Sequence, residues 1–134
     1  MWITSQNFYN KQLLTFTYMK KMYHLANCTT CQAIIQQTGA DKKSLMMQDI
    51  KTEKITPEQL DEMKKIAGSY EALFSRRAMK YKEWNLKNKH LTEDDYRRYI
   101  LEEYTFLKRP VVILGNKIFI GNDKKTIASL KDAL

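Results

Sequence analysis

The sequence predicts an α/β domain with a βαβ opening, an all-helical insertion and a ββα close. Three observations predict it. An apolar run, Met22-Tyr23-His24-Leu25-Ala26, delivers Cys28-Thr29-Thr30-Cys31 to the start of a helix-compatible stretch, the layout of a strand feeding a redox Cys-x-x-Cys. The middle carries helix caps and apolar spacings near 3.6. Near the end, Val111-Val112-Ile113-Leu114 and Lys117-Ile118-Phe119-Ile120 flank Gly115-Asn116, the signature of a two-residue β-hairpin.

In order, the first strand covers about Lys21 to Leu25. A helix after Cys28 buries Ile34 and Ile35 with Ala33 nearby and stops at Gly39, a residue suited to the position after a helix. Ser44 to Ile50 forms a second strand, and a strand–helix–strand unit implies a parallel pair. Thr56-Pro57-Glu58-Gln59 opens a helix with a capping box and Pro at its first position. Leu60, Met63, Ile66 and Ala67 make its apolar stripe, and Gly68 ends it. Ser69 caps a short helix with Tyr70, Leu73 and Phe74, and after a basic connector a turn or helix piece holds Tyr81, Trp84 and Leu86. Thr92 caps a further helix whose first turn carries Glu93, Asp94 and Asp95, as the helix dipole favours. Tyr96, Tyr99, Ile100 and Tyr104 line its buried face. After the hairpin, Asn122 or Asp123 caps a last helix with Ile127, Leu130 and Leu134 inside. The outer parts form a mixed thioredoxin-like sheet, and the all-helical insertion runs from about 51 to 107.

At 134 residues the chain suits one domain with an adequate core. No apolar run is long enough for a membrane helix, so no membrane partner is expected. The formal charge of +8 favours oxyanions, acidic protein surfaces or nucleic acid. A merely solvated basic surface is the alternative. The basic residues are dispersed, and no direct nucleic-acid binding is expected. Two cysteines are too few for a disulfide scaffold and suit a redox pair or half a zinc site. A zinc site needs a second ligand pair, and the two histidines, His24 and His90, lack the spacing for one. No metal and no bound cofactor are therefore expected. Met1-Trp2-Ile3-Thr4 has no basic start and Leu13-Leu14-Thr15-Phe16 is too short for a signal core. Residues 1–18 read as a poorly ordered extension or the product of an upstream start, with one domain over 19–134 and a cytoplasmic location. N-terminal mass spectrometry of the native protein tests this; a mature N-terminus at Met1 contradicts it.

The thiolate is the reactive form of cysteine, and a helix N-terminus favours it through free N–H groups and the positive end of the dipole. That position leaves Cys28 exposed and Cys31, one turn in, placed to resolve a mixed disulfide. Two inert buried thiols are the alternative. Arg109-Pro110 precedes the buried strand, where Pro is sterically allowed.

The stretch from about Met19 to Leu134 resembles the ArsC/Spx family of arsenate reductase-like proteins. The matching pieces are Tyr23-His24, Cys28 at the strand-to-helix junction, Leu73-Phe74-Ser75-Arg76-Arg77, Thr92-Glu93-Asp94-Asp95 and Arg109-Pro110-Val111-Val112. The resemblance implies a cis Pro110 beside the cysteine. It makes Cys28 the nucleophile, with His24 lowering its pKa and Cys31 as the second thiol. Thr29, Thr30, Arg77, Arg109 and Pro110 form the implied oxyanion- or substrate-binding set. Three positions depart from the family pattern. Cys31 replaces a serine of arsenate reductases, Leu25-Ala26 replaces Asn-Pro, and Ile120 falls near a last-strand arginine. Arg77 registers on the arginine of Spx-type members, while Ser75 falls where arsenate reductases carry theirs.

Two functions follow from the resemblance. One is an arsenate reductase-like thiol oxidoreductase acting on an oxyanion or mixed disulfide. Glutathione is its candidate co-substrate and glutaredoxin or a thioredoxin-type protein its reductant. The other is an Spx-type redox-sensing transcription regulator that binds the RNA polymerase α subunit through a Cys28–Cys31 switch. A family member without reductase activity is a third reading.

Overall fold

Strand β1 (Lys20–His24) lies inside a four-stranded mixed sheet of order β2-β1-β3-β4. The computed structural model describes residues 19–134, so the extension expected over residues 1–18 lies outside the described residues. β1 pairs parallel with β2 (Met46–Asp49) and antiparallel with β3 (Val111–Leu114), which pairs antiparallel with β4 (Lys117–Ile120). Connections explain the mixture. β1 reaches β2 through helix α1 (Thr29–Thr38), as a parallel crossover requires. β3 reaches β4 through Gly115-Asn116, with Gly115 at φ 61°, a conformation that favours glycine in the first position of a hairpin turn.

The period of two along β1 sends neighbouring side chains to opposite cores. Met22 packs with Ile34 of α1, Val112, and Leu130 of helix α5 (Lys124–Ala133). Tyr23 packs on the other side with the insertion: Leu60 and Met63 of α2 (Pro57–Ala67), and Tyr96 and Ile100 of α4 (Glu93–Glu102). The insertion therefore covers one face of the sheet and α1 with α5 the other. This is the α/β thioredoxin-like arrangement that the sequence predicts.

Local chemistry sets the ends of the helices. Thr56 with Gln59, and Thr92 with Asp95, form reciprocal capping boxes. Asp123, not Asn122, caps α5 by accepting from the Thr126 N–H. Gly39 closes α1 at φ 68°, its N–H donating to the Ile35 carbonyl at 2.8 Å.

Several elements differ from expectation. The second strand begins at Met46 rather than Ser44, because Ser44 sits at φ 59°, outside the strand region. In α1 only Ile34 of the three expected residues is fully buried; Ala33 is exposed and Ile35 half-buried. The helix expected around Tyr70 to Phe74 is a single 3-10 turn, Glu71–Leu73. Phe74 turns extended (φ −87°, ψ 128°) to bridge Leu107, which stops the turn from growing. The turn is fixed from outside, as the Glu93 carboxylate accepts from the N–H groups of Tyr70 (2.8 Å) and Glu71 (3.0 Å). The Tyr81 segment is a short helix, α3 (Met79–Glu83), followed by a 3-10 turn at Leu86–Asn88. Tyr104 belongs to a separate 3-10 turn, Tyr104–Phe106, beyond the end of α4.

Candidate active site

The Phe74–Leu107 bridge brings two basic segments to one place. Ser75 N–H donates to the Phe106 carbonyl at 2.7 Å, and Lys108 N–H donates to the Leu73 carbonyl at 2.8 Å. These bonds hold Arg76-Arg77 beside Lys108-Arg109. The hairpin supplies the adjoining wall, since Gly121 N–H donates to the Pro110 carbonyl at 2.9 Å. Between them and the start of α1 lies a cleft of about 550 Å³. Cys28, Thr30, Arg77 and Arg109 line it, with Ser75, Arg76, Lys108, Ile120, Asn122 and Asp123.

Cys28 is the residue that opens α1, with extended backbone (φ −94°, ψ 120°). Its carbonyl accepts from the Gln32 N–H at 3.0 Å, and the Gln32 side chain donates to the Ala26 carbonyl at 2.7 Å, tying the entering loop to the helix. Both thiols are free; Cys28 is half-buried and Cys31 fully buried. Burial pushes the Cys28 thiol up, but four influences together outweigh it and hold the thiol below its usual range. They are the backbone N–H groups of Cys31 and Thr30, the Cys31 side chain and the Arg109 guanidinium. Burial chiefly pushes the Cys31 thiol up to about 11, helped by the neighbouring Cys28 charge and opposed by the Leu25 backbone and Arg109. The arrangement favours a thiolate at Cys28 backed by a protonated thiol at Cys31.

The cations differ in freedom. Arg76 donates to Glu71 at 3.3 Å and to the Tyr96 hydroxyl at 3.0 Å, and it lies over the Tyr96 ring. Its charge is thus partly engaged in holding the loop. Arg77 is exposed and, among the described residues, has no carboxylate in ion-pair reach; its backbone N–H donates to the Ser75 hydroxyl at 3.3 Å. Arg109 is half-buried, and among the described residues only a long 3.5 Å bond to the Thr105 carbonyl engages its guanidinium. The Arg109–Pro110 peptide is cis, as the resemblance implies.

The remaining predicted residues stand further back. Thr29 begins α1 and is exposed, outside the cleft lining. His24 closes β1 opposite Asp49, on the Met22 side of the sheet by alternation. Its Nδ1 is buried without a hydrogen-bond partner among the described residues, and no hydrogen bond joins it to Cys28. Lys108 is a cleft residue that the sequence reading did not single out, and Asp123, expected only as a helix cap, lines the cleft as well. Lys108 arrives through the bridge to Phe74, a pairing too distant in sequence to leave a local pattern. Ile120 does line the cleft and makes that wall apolar. Among the described residues no three metal-ligating side chains converge, and no helix is long and apolar enough to cross a membrane.

A family profile described as the ArsC family matches residues 23–130. No curated protein matches by sequence. Among solved structures, a Staphylococcus aureus protein determined in solution is 27% identical, with a TM-score of 0.67, covering 83% of this chain and 97% of its own. An arsenate reductase from Vibrio cholerae is 16% identical with a TM-score of 0.70, covering 88% and 99%. An arsenate reductase (ArsC) related protein from Brucella melitensis is 19% identical with a TM-score of 0.64, covering 84% and 94%. At these identities the last two likenesses show the fold.

Proposed function

The chain belongs to the ArsC family, and from that premise we propose that it is a cytoplasmic, arsenate reductase-like thiol oxidoreductase with Cys28 as nucleophile. The observation that carries the reading is the lowered Cys28 thiol at the head of α1, in a cleft with Arg77 and Arg109. An anionic substrate is drawn to the guanidinium groups, and the Cys28 thiolate attacks it. With arsenate, a sulfur–arsenic bond forms and one arsenate oxygen leaves as water after taking up protons. With a mixed disulfide, the substrate S–S bond breaks and one thiolate leaves. A second thiol then attacks the Cys28 sulfur, either Cys31 or glutathione. Its proton is lost, arsenite or the second substrate thiol departs, and a disulfide on Cys28 remains. Glutaredoxin or a thioredoxin-type protein supplies the two electrons that restore both thiols. Thr30 offers a hydroxyl donor in the cleft while Thr29 stands outside it at the helix start, cis Pro110 fixes the chain next to Arg109, and His24 supports the strand end behind the cysteine.

Steady-state reduction of arsenate, and separately of hydroxyethyl disulfide, with glutathione and glutaredoxin tests the reading. Turnover that disappears in Cys28→Ser supports it. No turnover with either substrate, or turnover that survives the substitution, removes it.

The two adjacent free thiols also favour a second reading, an Spx-type regulator in which a Cys28–Cys31 disulfide sets affinity for the RNA polymerase α subunit. Dithiol and disulfide forms should then differ in binding the α C-terminal domain; equal or absent binding counts against it.

A further inference from the structure

The flank of the cleft beyond Arg76 and Arg77 is a second feature with chemistry of its own. From Arg76 to Lys89 the chain carries six basic side chains and one acidic, Glu83. Lys80 pairs with Glu83 at 3.1 Å and Arg76 with Glu71 at 3.3 Å. Arg77, Lys82, Lys87 and Lys89 are exposed and, among the described residues, have no acidic partner in ion-pair reach. Met79 stands within this positive field and is 78% exposed. On α3, Met79 and Lys82 share one face by their three-residue spacing. The opposite side of the segment is used internally: Tyr81 and Trp84 pack on the core, Trp84 against Tyr99 and Phe106.

An exposed methionine on one helix face with Lys82, in a stretch whose Arg77, Lys82, Lys87 and Lys89 have no acidic partner among the described residues, is a composition that protein interfaces favour, since Met and Arg are enriched there and Met adapts its shape. The field is continuous with the cleft through Arg76 and Arg77, both of which line it. Nucleic acid fits less well, because the aromatic rings that would stack bases are turned inward.

Resting on the reading of Cys28 as a reactive thiol, we propose that the α3 flank around Met79 and Lys82 docks an acidic protein whose disulfide is the substrate presented to Cys28. Cys28 thiolate attacks one sulfur of the partner disulfide, whose other sulfur leaves as a thiolate. Cys31 then loses its proton and attacks the Cys28 sulfur, freeing the second partner thiolate. Two electrons pass to the partner, and the chain is left as the Cys28–Cys31 disulfide.

The test uses the full reduced chain and three cysteine peptides, acidic, neutral and basic, each carrying a 5-thio-2-nitrobenzoate mixed disulfide whose release is followed by absorbance. The acidic peptide should react about tenfold faster than the neutral one at low salt, and the gap should close at high salt. Met79→Glu with Lys82→Glu should bring the ratio to within about twofold of unity while leaving the rate with neutral hydroxyethyl disulfide unchanged. Equal wild-type rates, or a preference that survives both substitutions, overturn the proposal. Anisotropy of the acidic peptide with its cysteine blocked reads docking without chemistry, and the double variant should abolish its salt-sensitive binding. Binding by the wild type with no reaction toward hydroxyethyl disulfide overturns the Cys28 reading instead. Salt-sensitive binding of a labelled single-stranded oligonucleotide that the blocked peptide cannot displace overturns the acidic-protein assignment.

Discussion

Cys28 and Cys31 share a helix turn yet are driven in opposite directions. Cys28 gains backbone N–H groups and Arg109, which outweigh its partial burial, whereas Cys31 is pushed up by full burial. Arg109→Ala removes the one fixed charge in that balance. The Cys28 thiol should then titrate higher, so its thiolate fraction at neutral pH falls and alkylation slows; an unchanged profile places Arg109 out of electrostatic reach. Lys in the same place should keep part of the effect, because it keeps the charge but not the fork. At this scale the sequence was informative about the cysteines, because a Cys-x-x-Cys at a helix start has a local physical meaning. It was less so for His24. Strand alternation turns it to the Met22 side of the sheet, away from the face that carries the insertion, a consequence of register rather than residue type.

At the scale of elements, the caps at Thr56 and Thr92 were legible because each lies within four consecutive residues, although the reciprocal bond from the Thr92 N–H to the Asp95 carboxylate emerged only in the structure. Thr92→Ala should destabilise the fold by about 1 kcal/mol, measurable by urea unfolding. The 3-10 turn at Glu71–Leu73 was not legible, since its N–H groups are satisfied by Glu93 from another element. Helices α2 and α4 are joined by Asp61, which accepts from Arg97 at 2.8 Å and from the Tyr70 hydroxyl at 2.6 Å. Those bonds hold the Asp61 carboxyl down at about 2. A carboxyl depressed in the folded state stabilises it above the ordinary carboxylate pKa, and the contribution is lost as pH falls toward 2. The pair is exposed and screened. Asp61→Asn should therefore lower stability slightly at neutral pH, less in high salt, and not at all near the acid limit. A gap between the two proteins that widens on acidification contradicts this assignment.

For the whole molecule, the parallel β1–β2 and antiparallel β3–β4 pairings followed from the order of element types, because a crossover helix and a tight hairpin dictate them, whereas the β1–β3 pairing that joins the two halves and the sheet face covered by the insertion did not. The composition of the cleft did not follow. It depends on the Phe74–Leu107 bridge, which joins the two ends of the insertion and sets Arg76-Arg77 beside Lys108-Arg109. Phe74 is fully buried and stacks on Phe106 with ring centroids 5.0 Å apart. Phe74→Ala should cost about 3–5 kcal/mol. Phe74→Leu, milder for the fold, should loosen the bridge and raise the KM for an anionic disulfide more than for a neutral one. Equal changes for both substrates would separate the bridge from the cation cluster.

The most direct test of the central claim is the pH dependence of iodoacetamide alkylation, read separately at each cysteine by peptide mass spectrometry on the native reduced protein. The account predicts that Cys28 reacts with a midpoint below the free-cysteine value of about 8.5, while Cys31 stays unmodified until the chain is unfolded. A Cys28 midpoint at or above that value, or Cys31 reacting first, would contradict it.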